Sequence, residues 1–105
     1  MAMKKGLKAR WVAALRSGKY KQGTRELRKD RVRSVQHCCL GVLCEISPKI
    51  GALPNNGNYY LGPQALDAAG LTDAEQRKLA DLNDDGLNGV PYGFKRIANY
   101  IEKNL

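Results

Sequence analysis

Three groups of residues in this chain are of types that can do chemistry. The first is His37, Cys38, Cys39 and Cys44, which fall within eight residues of one another. Zinc needs four such donors converging as a tetrahedron. Adjacent Cys38 and Cys39 leave a helix in different directions, and no second cysteine pair follows at ligand spacing. The only histidine directly precedes the cysteines, a poor place for the base that a nucleophilic thiol requires. The spacing therefore predicts small apolar cysteines packed in a core, with no metal and no catalytic residue. The second group, Asp81, Asn83, Asp85 and Gly86, matches the opening of a calcium loop. Tyr92 then stands where that loop needs its bidentate glutamate, and Gly89 stands at its ninth position. A polar turn over Asn83–Gly86 is the expectation.

The third group is the strongest. Arg16-Ser17-Gly18-Lys19-Tyr20-Lys21-Gln22-Gly23-Thr24-Arg25 combines four cations, an aromatic ring, an amide and two glycines. Arginine and lysine neutralise phosphates, arginine in a bidentate manner. Tyr20 can stack on a base, and Gln22 can read a base or ribose edge. A helix ends at this point, and a helix C-terminus repels anions, so side chains must do the binding. The expected ligand-binding set is Arg16, Lys19, Tyr20, Gln22, Arg25 and Arg28, with Tyr59 or Tyr60 as a second aromatic wall. The competing expectation is that Tyr20 belongs to the core and the cations are merely solvated.

The charge distribution favours an anionic partner. Residues 1–36 hold 12 Lys/Arg against Glu26 and Asp30, a net of +10, whereas residues 37–105 hold 6 Lys/Arg against 8 acids, a net of −2. Such asymmetry marks a basic face that meets phosphates. No phosphate-cradling glycine loop is present, and adjacent Asp84 and Asp85 do not flank a substrate as an acid–base pair. No cofactor is expected. Three cysteines, two of them adjacent, suit a reducing compartment. No apolar run is long enough to span a membrane, and the basic N-terminus lacks the apolar stretch of a signal peptide. A cytoplasmic protein is expected.

The elements that must position these residues are mostly helices. One domain is expected from 105 residues. Leu7, Trp11, Ala14 and Leu15 make one apolar stripe over residues 4–17, stopped by Gly18. Residues 19–36 predict short extended segments in a small antiparallel hairpin, with Val32 and Val35 alternating against polar neighbours. Residues 38–47 predict a buried central helix ended by Pro48, in which Gly41 admits close approach. A loop over 51–62 contains a short strand at Tyr59-Tyr60-Leu61. Pro63 opens a helix through Ala69, Thr72-Asp73-Ala74-Glu75 is a capping box for a helix to about Leu82, and residues 92–104 form the last helix on Phe94, Ile97, Ala98 and Ile101. The architecture is α+β, a small single domain of four to five helices around a short antiparallel hairpin.

The segments WVAALRSGKYKQG, CCLGVLCEI, YYLGPQAL, AGL, LADLND and FKRIANYIEKNL together resemble a family of small proteins encoded by bacteriophages. The resemblance runs over most of the chain and departs at His37, where an aromatic residue is expected. It implies a setting rather than a mechanism. Small phage proteins without enzymatic motifs often act by binding host molecules, and several unrelated families sequester the nucleotide signals of antiviral systems. The implied role is a non-enzymatic sponge for a phosphorylated nucleotide-type molecule, acting in the cytoplasm of the infected cell. Sponges of this size often bind between subunits, so a homo-oligomer is implied. Two alternatives stay open: a basic nucleic-acid-binding protein, and a protein–protein inhibitor of a host factor.

Overall fold

The protein is described by a computed structural model over residues 3–31, 34–86 and 89–105. The expected position of Val32 in the hairpin lies outside those residues. Leu7, Trp11 and Leu15 recur at a spacing of four and drive Lys5–Arg16 into helix α1. Val12 is buried beside them, while Ala14 is only half-buried. Gly18 takes the left-handed conformation that ends the helix, with φ +75°.

Strands β1 (Lys21–Gln22), β2 (Arg28–Arg31) and β3 (Ser34–His37) form one small sheet with β3 in the middle. The expected hairpin is the β2–β3 pair, antiparallel from Arg28↔His37 to Arg31↔Ser34. β1 differs from expectation: it pairs with β3 in parallel, through Lys21↔Gln36 and Gln22↔His37. A parallel pair needs a longer crossover than a hairpin turn, and here the segment carrying β2 supplies it.

Helix α2 (Cys39–Ile46) follows at once and is the centre of the core. Cys39, Leu40, Val42 and Leu43 are all fully buried, and Glu45 is the charged residue on the helix's exposed side. Trp11 fastens α1 to it, donating its indole N–H to the Cys39 carbonyl at 2.9 Å. Pro48 does more than end α2: it opens a one-turn helix, α3 (Pro48–Gly51), because proline suits a first helical position. This turn makes six helices among the described residues, against the four or five expected.

Strands β4 (Asn55–Asn56) and β5 (Tyr60–Leu61) make a small antiparallel pair. Helix α4 (Pro63–Ala69) ends at left-handed Gly70. Helix α5 (Asp73–Asp84) starts with the expected capping box, in which Thr72 and Glu75 satisfy each other's backbone N–H groups. It runs two residues beyond Leu82. Asn83 and Asp84 are thus helical, which narrows the expected turn to Asp85 and Gly86, and Asn83 is fully buried. Helix α6 (Phe94–Asn104) lays Phe94, Ile97, Ala98 and Ile101 on the core and packs along α1. The architecture is α+β in a single compact unit. No helix among the described residues is long and apolar enough to cross a membrane.

Candidate functional site

The residues expected to bind a ligand do not form one cationic pocket. Arg16, on the last turn of α1, reaches α6 instead. Its guanidinium donates to Asn99 at 2.7 Å and to Glu102 at 3.0 and 3.2 Å. That hydrogen bond, more than the charge alone, holds the Glu102 carboxyl below its usual range. Gln22 points inward and donates to the Asn83 side chain at 3.0 Å and to the Tyr92 carbonyl at 2.8 Å. It is an internal tie between β1, α5 and the approach to α6. Tyr20 packs against the core, edge-to-face on His37 with 5.8 Å between ring centroids. Lys19 lies over the Tyr20 ring at 5.9 Å.

Arg25, Tyr59 and Tyr60 do converge, but in company that reverses the sign of the site. They line a cleft of about 260 Å³ together with Asp81, Asp84 and Asp85. Arg25 adopts a left-handed backbone, φ +65°, with its N–H donating to Asp84 at 2.8 Å and its guanidinium to Asp85 at 3.2 Å. Three carboxylates against one guanidinium repel a phosphate. Arg77 lies over the Tyr60 ring at 4.9 Å and occupies one of its faces.

Arg28 belongs to a different cluster, beside the hairpin. Its guanidinium pairs with Asp30 at 3.1 Å and with Glu45 at 3.6 Å. The same Glu45 oxygen lies 2.8 Å from His37 Nε2. Among the described residues, buried His37 Nδ1 has no hydrogen-bond partner. These three side chains and Asn55 line a cleft of about 330 Å³ floored by Leu27, Cys44 and Pro48.

Folding therefore consumes the arginines of the basic stretch in ion pairs with acids from elsewhere in the chain. Among the described residues, the lysines and Arg10 form no ion pair in the N-terminal third. Two of these cations meet a third from α3. Lys4, Arg10 and Lys49 line a cleft of about 240 Å³ together with Leu7, Ser47 and Ile50. No carboxylate among the described residues lines it. The arrangement follows from local structure: Lys4, just before α1, and Arg10, on it, stand three residues to either side of buried Leu7, and Lys49 follows Pro48 in α3. Sequence reasoning passed over all three cations. The available signal was the pair of cations on the two sides of Leu7, and it lacked a partner until Lys49 was placed.

The cysteines sit where small apolar groups belong. Cys39 Sγ lies 3.6 Å from the Leu79 carbonyl. Burial pushes the thiols of Cys38 and Cys44 up to about 11, and that of Cys39 well above its usual range. Because burial raises these values in the folded state, neutral thiols contribute full stability below about pH 9, and that contribution is lost as pH rises through about 11. We expect iodoacetamide to leave Cys38 and Cys39 unmodified in the native protein at pH 7.5, to reach half-buried Cys44 slowly, and to label all three in urea, as counted by intact mass. Labelling of Cys38 or Cys39 in the native protein at the unfolded rate would contradict this burial.

Residues 3–53, which span α1, the three-stranded sheet, α2 and α3, match the model of a family described as Domain of unknown function (DUF8296). No curated protein and no solved structure matches the chain.

Proposed function

We propose that this protein is a non-enzymatic binder of a phosphorylated, nucleotide-type molecule, with Lys4, Arg10 and Lys49 holding the phosphate groups. The observation that carries the reading is the convergence of three cations on one cleft that no carboxylate among the described residues lines. Its size suits a phosphate group better than a broad nucleic-acid track, and arginine beside two lysines is a common way to neutralise phosphate oxygens. The resemblance to small bacteriophage proteins supports the fuller role, in which binding sequesters a nucleotide signal of host defence.

Isothermal titration with pyrophosphate and nucleoside diphosphates at moderate salt tests the reading. Lys49→Glu and Arg10→Glu should each weaken binding by about tenfold or more, since a charge-assisted hydrogen bond contributes about 1.5–3 kcal/mol. Both side chains are exposed, so circular dichroism and the unfolding midpoint should not change. Arg16→Ala, outside this cleft, should leave the affinity as it is. Loss of binding in Arg16→Ala with none in Lys49→Glu would return the site to the α1 C-terminus. Binding only to duplex DNA, with several counterions released in the salt dependence, would replace this reading with a nucleic-acid one.

A further inference from the structure

The His37–Glu45–Arg28 cleft plays no part in the phosphate site, and it is the larger of the two. Its volume of about 330 Å³ lies within the range of small-molecule sites, about 300–1,000 Å³. Its floor is apolar, and its polar groups come from three separate elements: Arg28 from β2, His37 from β3 and Glu45 from α2. His37, buried and unable to swing out, lies 2.8 Å from one Glu45 oxygen and fixes the orientation of that carboxylate. The other Glu45 oxygen makes no hydrogen bond among the described residues, and neither does the Asn55 amide at the rim.

We infer that this cleft takes a planar base presenting two adjacent N–H donors, the edge of guanine. A carboxylate is an acceptor only, and it receives a bidentate pair when two donors lie side by side. Guanine offers its ring N1–H and its exocyclic amine in that arrangement. Adenine and cytosine offer one amine beside a ring acceptor, whose lone pair would face the carboxylate. Arg28 and Asn55 supply donors for the carbonyl oxygen of the same base. Leu27 and Pro48 supply the apolar surface for its face.

The inference rests on the phosphate reading for its ligand class and adds the base to it. Both clefts border the Ser47–Gly51 turn: Pro48 and Gly51 line the base cleft, while Ser47, Lys49 and Ile50 line the phosphate cleft. One nucleotide lying over this turn would engage both.

The test is titration of the full chain with guanosine, pyrophosphate, and the diphosphates of guanosine, inosine and adenosine, on wild type and Glu45→Gln. Guanosine diphosphate should bind about tenfold or more tighter than adenosine diphosphate, with the inosine form, which lacks the exocyclic amine, in between. Glu45→Gln should abolish the guanine preference and leave pyrophosphate affinity unchanged. Because the wild-type ranking of the three diphosphates needs no variant, a folding defect in Glu45→Gln would not rescue the idea. Equal binding of all three diphosphates and pyrophosphate overturns the base site and leaves the phosphate reading standing. Glu45-dependent binding of guanosine with none of pyrophosphate overturns the phosphate reading and keeps the base site. Silence with every ligand overturns both.

Discussion

Replacing Gly41 with alanine should lower stability by about 3 kcal/mol or more, a large effect for a single added methyl group. Gly41 sits in the first half of α2, where the helix lies directly against the backbone of residue 27. A Cβ at this position would fall on the Leu27 carbonyl oxygen and within 2.7 Å of its carbon. Backbone cannot fold away as a flexible side chain does. Leu27 is also held from the other side, its N–H donating to the Asn58 carbonyl at 2.8 Å, and the next contact along the chain ties the Cys38 N–H to the Glu26 carbonyl at 3.3 Å. Either α2 leaves the core or the entry to β2 shifts. For a domain of this size each kcal/mol moves the midpoint by roughly 4–8 °C, so thermal unfolding should occur at least ~12 °C lower. Gly6→Ala is the matched control. It lies in α1 with nothing within 4 Å of the new Cβ, and helix propensity predicts a gain of up to about 1 kcal/mol. A Gly41→Ala protein that melts at the wild-type temperature would show that α2 does not pack on residue 27 as described.

Gly41 is also a place where the sequence was informative, because a glycine kept inside an apolar helix, at a cost in helix propensity, marks the close approach of another element. The helices were legible for the same local reasons. The stripe of Leu7, Trp11 and Leu15, the Pro63 start and Gly70 stop of α4, and the Thr72–Glu75 capping box all rest on residues close together in the chain. What could not be read was the long-range pairing. β1 is two residues long and joins β3 in parallel, so its place depends on a strand that lies beyond β2. Arg16 looked free for a ligand because its partner Glu102 lies 86 positions on. Arg25 and Arg28 looked equally free, yet Asp85 at the end of α5 and Glu45 on α2 supply carboxylates to them. The same limit hid the phosphate cleft, since nothing local relates Lys4 and Arg10 to Lys49. His37 and Glu45 are only eight residues apart, yet the intervening switch from strand to helix decides that they meet. Tyr59 and Tyr60 do line a cleft, but nothing near them in the chain announces the three aspartates that share it.

Asn83 shows how an expected turn residue became part of the core, and Asn83→Leu should cost about 3–5 kcal/mol. Its side-chain oxygen accepts from the Cys39 N–H at 3.2 Å and from Gln22 at 3.0 Å. Its amide donates to the Gly23 carbonyl at 2.9 Å and to Asp84 at 3.0 Å. All four bonding positions of the amide are thereby used. Leucine has nearly the same size, so packing survives, but the Cys39 N–H at the start of α2 and the Gly23 carbonyl beside β1 lose partners in a region closed to water. Leaving each such group unsatisfied costs about 1–3 kcal/mol. Gln22 keeps the Tyr92 carbonyl and is less affected. Urea unfolding should therefore show a much lower midpoint with an unchanged slope, and hydrogen exchange should show the Cys39 amide losing protection ahead of the rest of α2. An unchanged midpoint would mean that α2 is not held by this amide. The consequence reaches function, because Asn83 holds α2, which carries Glu45, and β1, which pairs with the β3 strand that carries His37. A folded Asn83→Leu protein should lose the preference for guanine while it still binds pyrophosphate, since the Lys4, Arg10 and Lys49 cleft is built from other elements.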